Sequence, residues 1–68
     1  MQEIIQLTCL ITRNEVSTLT VYSARPYDAM LEKVSKFWDD LSVSELEFRY
    51  QTTTYNYQRI GTKLKRIL

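Results

Sequence analysis

The chain has 68 residues, with nine Lys or Arg, eight Asp or Glu, no His, one Cys, one Gly and one Pro. That length allows one small domain with only a few kcal/mol of net stability, so an interface that adds burial is expected. The composition excludes zinc fingers, Ser-His-Asp triads and Cys-His nucleophiles for want of His, and P-loops and dinucleotide fingerprints for want of Gly.

Residues 3–12 alternate as a strand does, with Ile5, Leu7, Cys9 and Ile11 on one face and Ile4, Gln6, Thr8 and Leu10 on the other. Arg13-Asn14-Glu15 interrupts the pattern, and Asn tolerates the positive φ of a tight hairpin turn. Alternation resumes over residues 16–23, with Leu19 and Val21 opposite Thr18, Thr20 and Tyr22, so residues 3–23 read as a hairpin. A helix is predicted over 26–41. Pro26 suits its first position and Asp28 its positive end, while Tyr27, Met30, Leu31, Val34, Phe37, Trp38 and Leu41 recur at spacings of three and four. Those seven fall within an arc of about 120°, the pattern of a helix lying on a sheet.

Residues 45–54 return to alternation, with Leu46, Phe48 and Tyr50 opposite Glu45, Glu47 and Arg49. Beyond Thr54 the phase shifts to Tyr55 and Tyr57, as a turn or bulge near Thr53-Thr54 would produce. Residues 55–68 fit a helix or a strand, and their Tyr, Thr and β-branched content favours the strand. The expected fold is α+β in one domain spanning residues 1–68. It has a sheet of three to four strands with one amphipathic helix packed on one face, in the order ββαβ or ββαββ. That order resembles the β-grasp (ubiquitin-like) modules, and the resemblance implies their topology.

Charge is unevenly placed. Residues 1–47 hold all eight acids and four basic residues, a balance of −4, while residues 48–68 hold Arg49, Arg59, Lys63, Lys65 and Arg66 and no acid, a balance of +5. Tyr50, Tyr55 and Tyr57 interleave with the first of these cations. Cations neutralise phosphates and aromatic faces stack on unpaired bases, so this segment is a candidate nucleic-acid surface. The reading favoured over it is a basic strand that pairs within its own fold, and a surface for an acidic protein is the third option.

Asp39 and Asp40 fall at the helix end that favours cations, which calls for partners: Lys63, Lys65 or Arg66 within the fold, or an external basic surface. No loop pattern gathers Glu45, Glu47, Asp39 and Asp40 into a cation site, so no metal or cofactor is expected. Cys9 reads as a small core residue. Trp38 and Phe37 lie in the helical apolar arc, as core or as one uncovered edge of it. Ile4, Leu10 and Tyr22 would extend such a patch.

These features lead to a small non-enzymatic protein–protein interaction module, an adaptor, inhibitor or assembly subunit that includes self-association among its options. The alternative is a small nucleic-acid-binding protein. Candidate contact residues are Arg49, Tyr55, Tyr57, Arg59, Lys63, Lys65, Arg66, Trp38, Asp39 and Asp40. A lone Cys, no signal-like N-terminus and no membrane-length apolar run lead to an expected cytoplasmic location, in a bacterial or virus-infected cell.

Overall fold

A computed structural model describes residues 3–67. Its elements are β1 (Ile5–Arg13), β2 (Val16–Ala24), α1 (Pro26–Lys36), β3 (Val43–Tyr50), β4 (Thr53–Ile60) and β5 (Lys63–Ile67). The five strands form one sheet in the order β2-β1-β3-β4-β5, and every neighbouring pair is antiparallel.

This corrects the expected fold in three ways. The sheet has five strands where three to four were expected, because residues 43–67 make three strands. No pair is parallel, and the first and last strands are not neighbours, which overturns the β-grasp-like topology. The helix ends at Lys36, short of the expected residue 41.

Two-residue turns organise the sheet. Asn14 and Glu15 both have positive φ, 49° and 67°, as a type I′ hairpin requires. Gln51-Thr52 joins β3 to β4 with Gln51 at φ 52°, and Gly61-Thr62 joins β4 to β5 with Gly61 at φ 63°. A two-residue turn flips the parity of the inward positions, because opposed residues share a face. Inward residues are therefore odd in β1 and β4 and even in β2, β3 and β5. The phase shift at Tyr55 arises from the turn at residues 51–52, two positions before the expected site.

The core lies between α1 and one face of the sheet. It comprises Leu7 and Cys9 of β1, Ala29 and Met30 of α1, Phe37, Val43, Leu46 and Phe48 around β3, and Leu64 of β5. Val43 breaks the parity of Leu46 and Phe48. The register shift where Thr12 meets Glu45 but Arg13 meets Val43 is a bulge that turns Val43 fully inward.

The helix is rotated relative to its apolar arc. Pro26, Ala29 and Met30 are its buried residues, while Tyr27 is 53% and Leu31 70% exposed. At 100° per residue, the buried set with Phe37 is centred about 80° from the centre of the seven-residue arc. Small Ala29 permits close approach to the sheet, and Trp38 and Leu41 lie beyond the helix end, so they do not anchor its rotation. Both are exposed.

The other sheet face has no helix over it. Leu10 faces Leu19 across β1 and β2, with Val21 two residues along, while Glu45 and Glu47 occupy the centre and Lys63, Lys65 and Ile67 the far side. Tyr22 faces the helix, so it does not join Leu10 in one patch. Among the described residues no helix is long and apolar enough to cross a membrane.

Candidate functional site

The basic segment divides as strand alternation dictates. Leu64 is buried beneath the helix side, so Arg66 shares its face and Lys63 and Lys65 take the opposite one. Arg49 also points away from the helix, where its guanidinium pairs with Glu47 at 2.6 Å. The five cations that are close in sequence thus form no continuous track.

Arg59 is committed to the fold. Its Nε donates to the Val43 carbonyl at 3.1 Å, and one terminal nitrogen donates to the carbonyls of Trp38 (2.8 Å) and Thr62 (3.0 Å). The other donates to the carbonyls of Phe37 and Asp40, both at 2.8 Å. A guanidinium has five N–H donors, and all five are used on backbone oxygens, four between the end of α1 and the start of β3 and one in the turn before β5. A cation is also what the negative end of a helix favours. The fold uses Arg59 as a clamp rather than as a contact for a partner.

The acidic pair also divides. Asp40 meets the Arg13 guanidinium at 2.6 Å and accepts hydrogen bonds from the Ser42 hydroxyl and backbone N–H. The Ser42 hydroxyl, more than Arg13, holds the Asp40 carboxyl below the usual aspartate range. The expected partners Lys63, Lys65 and Arg66 are not its partners. Asp39 is exposed beside it, and Trp38 is 40% exposed in the same turn.

What the structure does bring together is an aromatic cluster flanking the helix. Tyr50 and Tyr55 stack with centroids 6.1 Å apart, and Tyr27 of α1 approaches Tyr55 at 6.2 Å. The hydroxyls of Tyr27 and Tyr55 are 3.4 Å apart, and this bond raises the Tyr27 pKa above its ordinary value. The Arg66 guanidinium lies over the Tyr55 ring at 4.8 Å. No carboxylate pairs with Arg66 among the described residues. Leu31, four residues after Tyr27, continues the same helix face. Tyr57 supports the cluster from the core side, edge-on to Phe48 at 5.9 Å and with its hydroxyl 3.9 Å from the Met30 sulfur.

Protein-family models, curated proteins and solved structures were searched, and none matches this chain.

Of the residues in this cluster, Tyr55 and Arg66 are among the contact candidates read from the sequence, whereas Tyr27 and Leu31 belong to the helical arc expected to be buried and are exposed. The available signal was Ala29: counting it and Pro26 as inward positions rotates Tyr27 and Leu31 out. Cys9 is buried in the core, and burial pushes its thiol up to about 11, the opposite of an activated nucleophile. No group of His, Cys, Asp or Glu among the described residues is placed to hold a metal ion.

Proposed function

We propose that this chain is a non-enzymatic protein–protein interaction module that recognises its partner through Tyr27, Leu31, Tyr50, Tyr55 and Arg66. The observation that carries this reading is the Arg66 guanidinium stacked on Tyr55, with no carboxylate partner among the described residues, beside an exposed Tyr and Leu on one helix face. Aromatic residues and Arg are the usual anchors of protein interfaces, where truncating one costs about 2 kcal/mol or more. A partner segment that offers a carboxylate to Arg66 and an apolar side chain to Tyr27 and Leu31 fits this chemistry. A reducing, cytoplasmic setting suits a chain with one thiol held in its core.

Nucleic acid is the competing ligand class. Two observations favour protein over it: the rings of Tyr50 and Tyr55 already contact each other, and Lys63 and Lys65 face away from Arg66. Immobilised protein tests the proposal. One captured protein should be lost with Arg66→Glu and with Tyr27→Ser, and kept with Lys65→Glu on the other face. Capture that ignores Arg66 and Tyr27 would refute the site. Tight binding of a single-stranded oligonucleotide with steep inverse salt dependence would install the nucleic-acid reading instead.

A further inference from the structure

The two edges of the sheet differ in kind. β5 is five residues long and carries Lys63, Lys65 and Arg66, charges of the sort that discourage edge-to-edge pairing. β2 is nine residues long, Val-Ser-Thr-Leu-Thr-Val-Tyr-Ser-Ala, with no charge, no Pro and no bulge against β1. Val16, Leu19 and Val21 are 65%, 60% and 53% exposed along it.

The hairpin register fixes which backbone groups of β2 are unused by β1. The two-residue turn makes Arg13 and Val16 a hydrogen-bonded pair, so Thr18, Thr20, Tyr22 and Ala24 also bond to β1. Ser17, Leu19, Val21 and Ser23 then aim their N–H and C=O groups outward from the sheet.

The strand is also self-complementary about its central residue. Reversed against itself around Thr20, it sets Leu19 opposite Val21, Ser17 opposite Ser23 and Val16 opposite Ala24, apolar with apolar and polar with polar, and Thr18 opposite Tyr22, a β-branched residue against an aromatic one. An isologous contact needs that symmetry, because each residue must suit the residue it meets in the second copy. The same register makes all four outward-facing residues hydrogen-bonded pairs. It also keeps the two uncovered faces on one side, where Leu10, Leu19 and Val21 of both copies become neighbours.

We propose that β2 pairs antiparallel with β2 of a second copy about Thr20, giving a symmetric dimer with a continuous ten-stranded sheet. This edge lies at the opposite end of the sheet from Tyr55 and Arg66, so it does not rest on the partner surface proposed above. An edge contact of this length is at the small end of specific interfaces, roughly 1,000 Å² in total, the class of weak and transient contacts, and the dimer is expected to dissociate on the order of 10–100 µM.

The test combines analytical ultracentrifugation with amide exchange on the full chain. Wild type should sediment at twice its 8.1 kDa mass as its concentration rises through that range. Amides of Leu19 and Val21 should gain protection with concentration, while those of Thr18 and Thr20 are protected at every concentration. Both positions are exposed, so charge can be placed there without disturbing the core. Leu19→Lys with Val21→Lys opposes like charges twice across the two-fold and should raise the dissociation constant about tenfold or more. Leu19→Lys with Val21→Glu forms two cross-strand ion pairs and should stay within about threefold of wild type. A monomer at millimolar concentration would overturn the proposal. So would equal behaviour of the two double variants, or a dimer whose Leu19 and Val21 amides stay unprotected.

Discussion

Replacing Arg59 tests whether one side chain determines where the helix stops. Its guanidinium joins the end of α1 through Phe37, Trp38 and Asp40 to the start of β3 at Val43 and the turn before β5 at Thr62. A hydrogen bond to a charged group contributes about 1.5–3 kcal/mol net, but five bonds from one side chain do not add, because water re-solvates carbonyls near the surface. Arg59 is half-buried, so the expected cost of Arg59→Ala is ~3 kcal/mol, that of about two such bonds. A chain of this length has roughly 3–10 kcal/mol in total, so the loss is a large share. Arg59→Lys keeps the charge at the helix C-terminus, worth ~0.3–1 kcal/mol, but has three donors on one atom and cannot span five carbonyls. It should recover less than half of the loss. Urea unfolding of wild type, both variants and Lys65→Ala as an exposed control decides the matter. A loss below ~1 kcal/mol in Arg59→Ala, or a Lys variant as stable as wild type, would refute the clamp.

Other consequences concern the core, the turns and pH. The buried Tyr22 hydroxyl has no hydrogen-bond partner among the described residues, and burial pushes its pKa up to about 12. Tyr22→Phe should therefore leave stability unchanged or raise it by up to ~1 kcal/mol in the same urea assay. Gln51 sits at φ 52°, a conformation costly for a side chain with a Cβ, so Gln51→Gly should raise stability by ~0.5–1 kcal/mol. Cys9, with its thiol raised to about 11, should resist alkylation at pH 8 until denaturant opens the core. The Asp40 pKa is depressed in the folded state, so its contribution is complete above the ordinary aspartate value of 3.8 and is lost as pH falls through the folded value. Asp40→Asn should consequently be less stable than wild type at pH 7, and the gap should narrow as pH falls below that range.

Residues whose role depends on local pattern were legible in the sequence. The hairpin through Asn14, the start of the helix at Pro26 and the alternation of Leu46, Phe48 and Tyr50 all follow from periods of 2 and 3.6. The helix end was not, because Phe37, Trp38 and Leu41 continue the apolar period while the chain has already turned. Asp40 bonding to Ser42 closes a local turn there, but Arg59 bonds carbonyls at the helix end from 19 to 22 residues away, a long-range contact with no local trace. The split of the last segment into β4 and β5 was hidden for a related reason. Gly61 has open space around it and only its φ of 63° to justify it, and a single Gly cannot be told from a weakened helix or strand by composition.

The polarity of charge along the chain changes meaning once the strands are placed. Lys65 and Arg66 are adjacent in sequence, yet the pleat sends one to the uncovered face and the other over Tyr55. Arg49 is neutralised by Glu47, two residues away on its own strand, and Arg59 is consumed by carbonyls. Of the five cations in the basic segment, Arg66 alone meets an aromatic ring among the ring contacts of the described residues. Lys63 and Lys65 flank the short edge that should not pair. The +5 balance therefore separates into a structural clamp, a local ion pair, a guarded edge and one cation poised on an aromatic surface. A mutational scan should separate them in the same way: Arg59 variants should change stability, and Arg66 variants should change partner binding with stability intact. Reversing Lys63 and Lys65 together to Glu should leave both unchanged while making the β5 edge less repellent to lysine-rich strands. If instead all five cations contributed equally to one binding signal, a delocalised electrostatic surface would replace the discrete site centred on Tyr55.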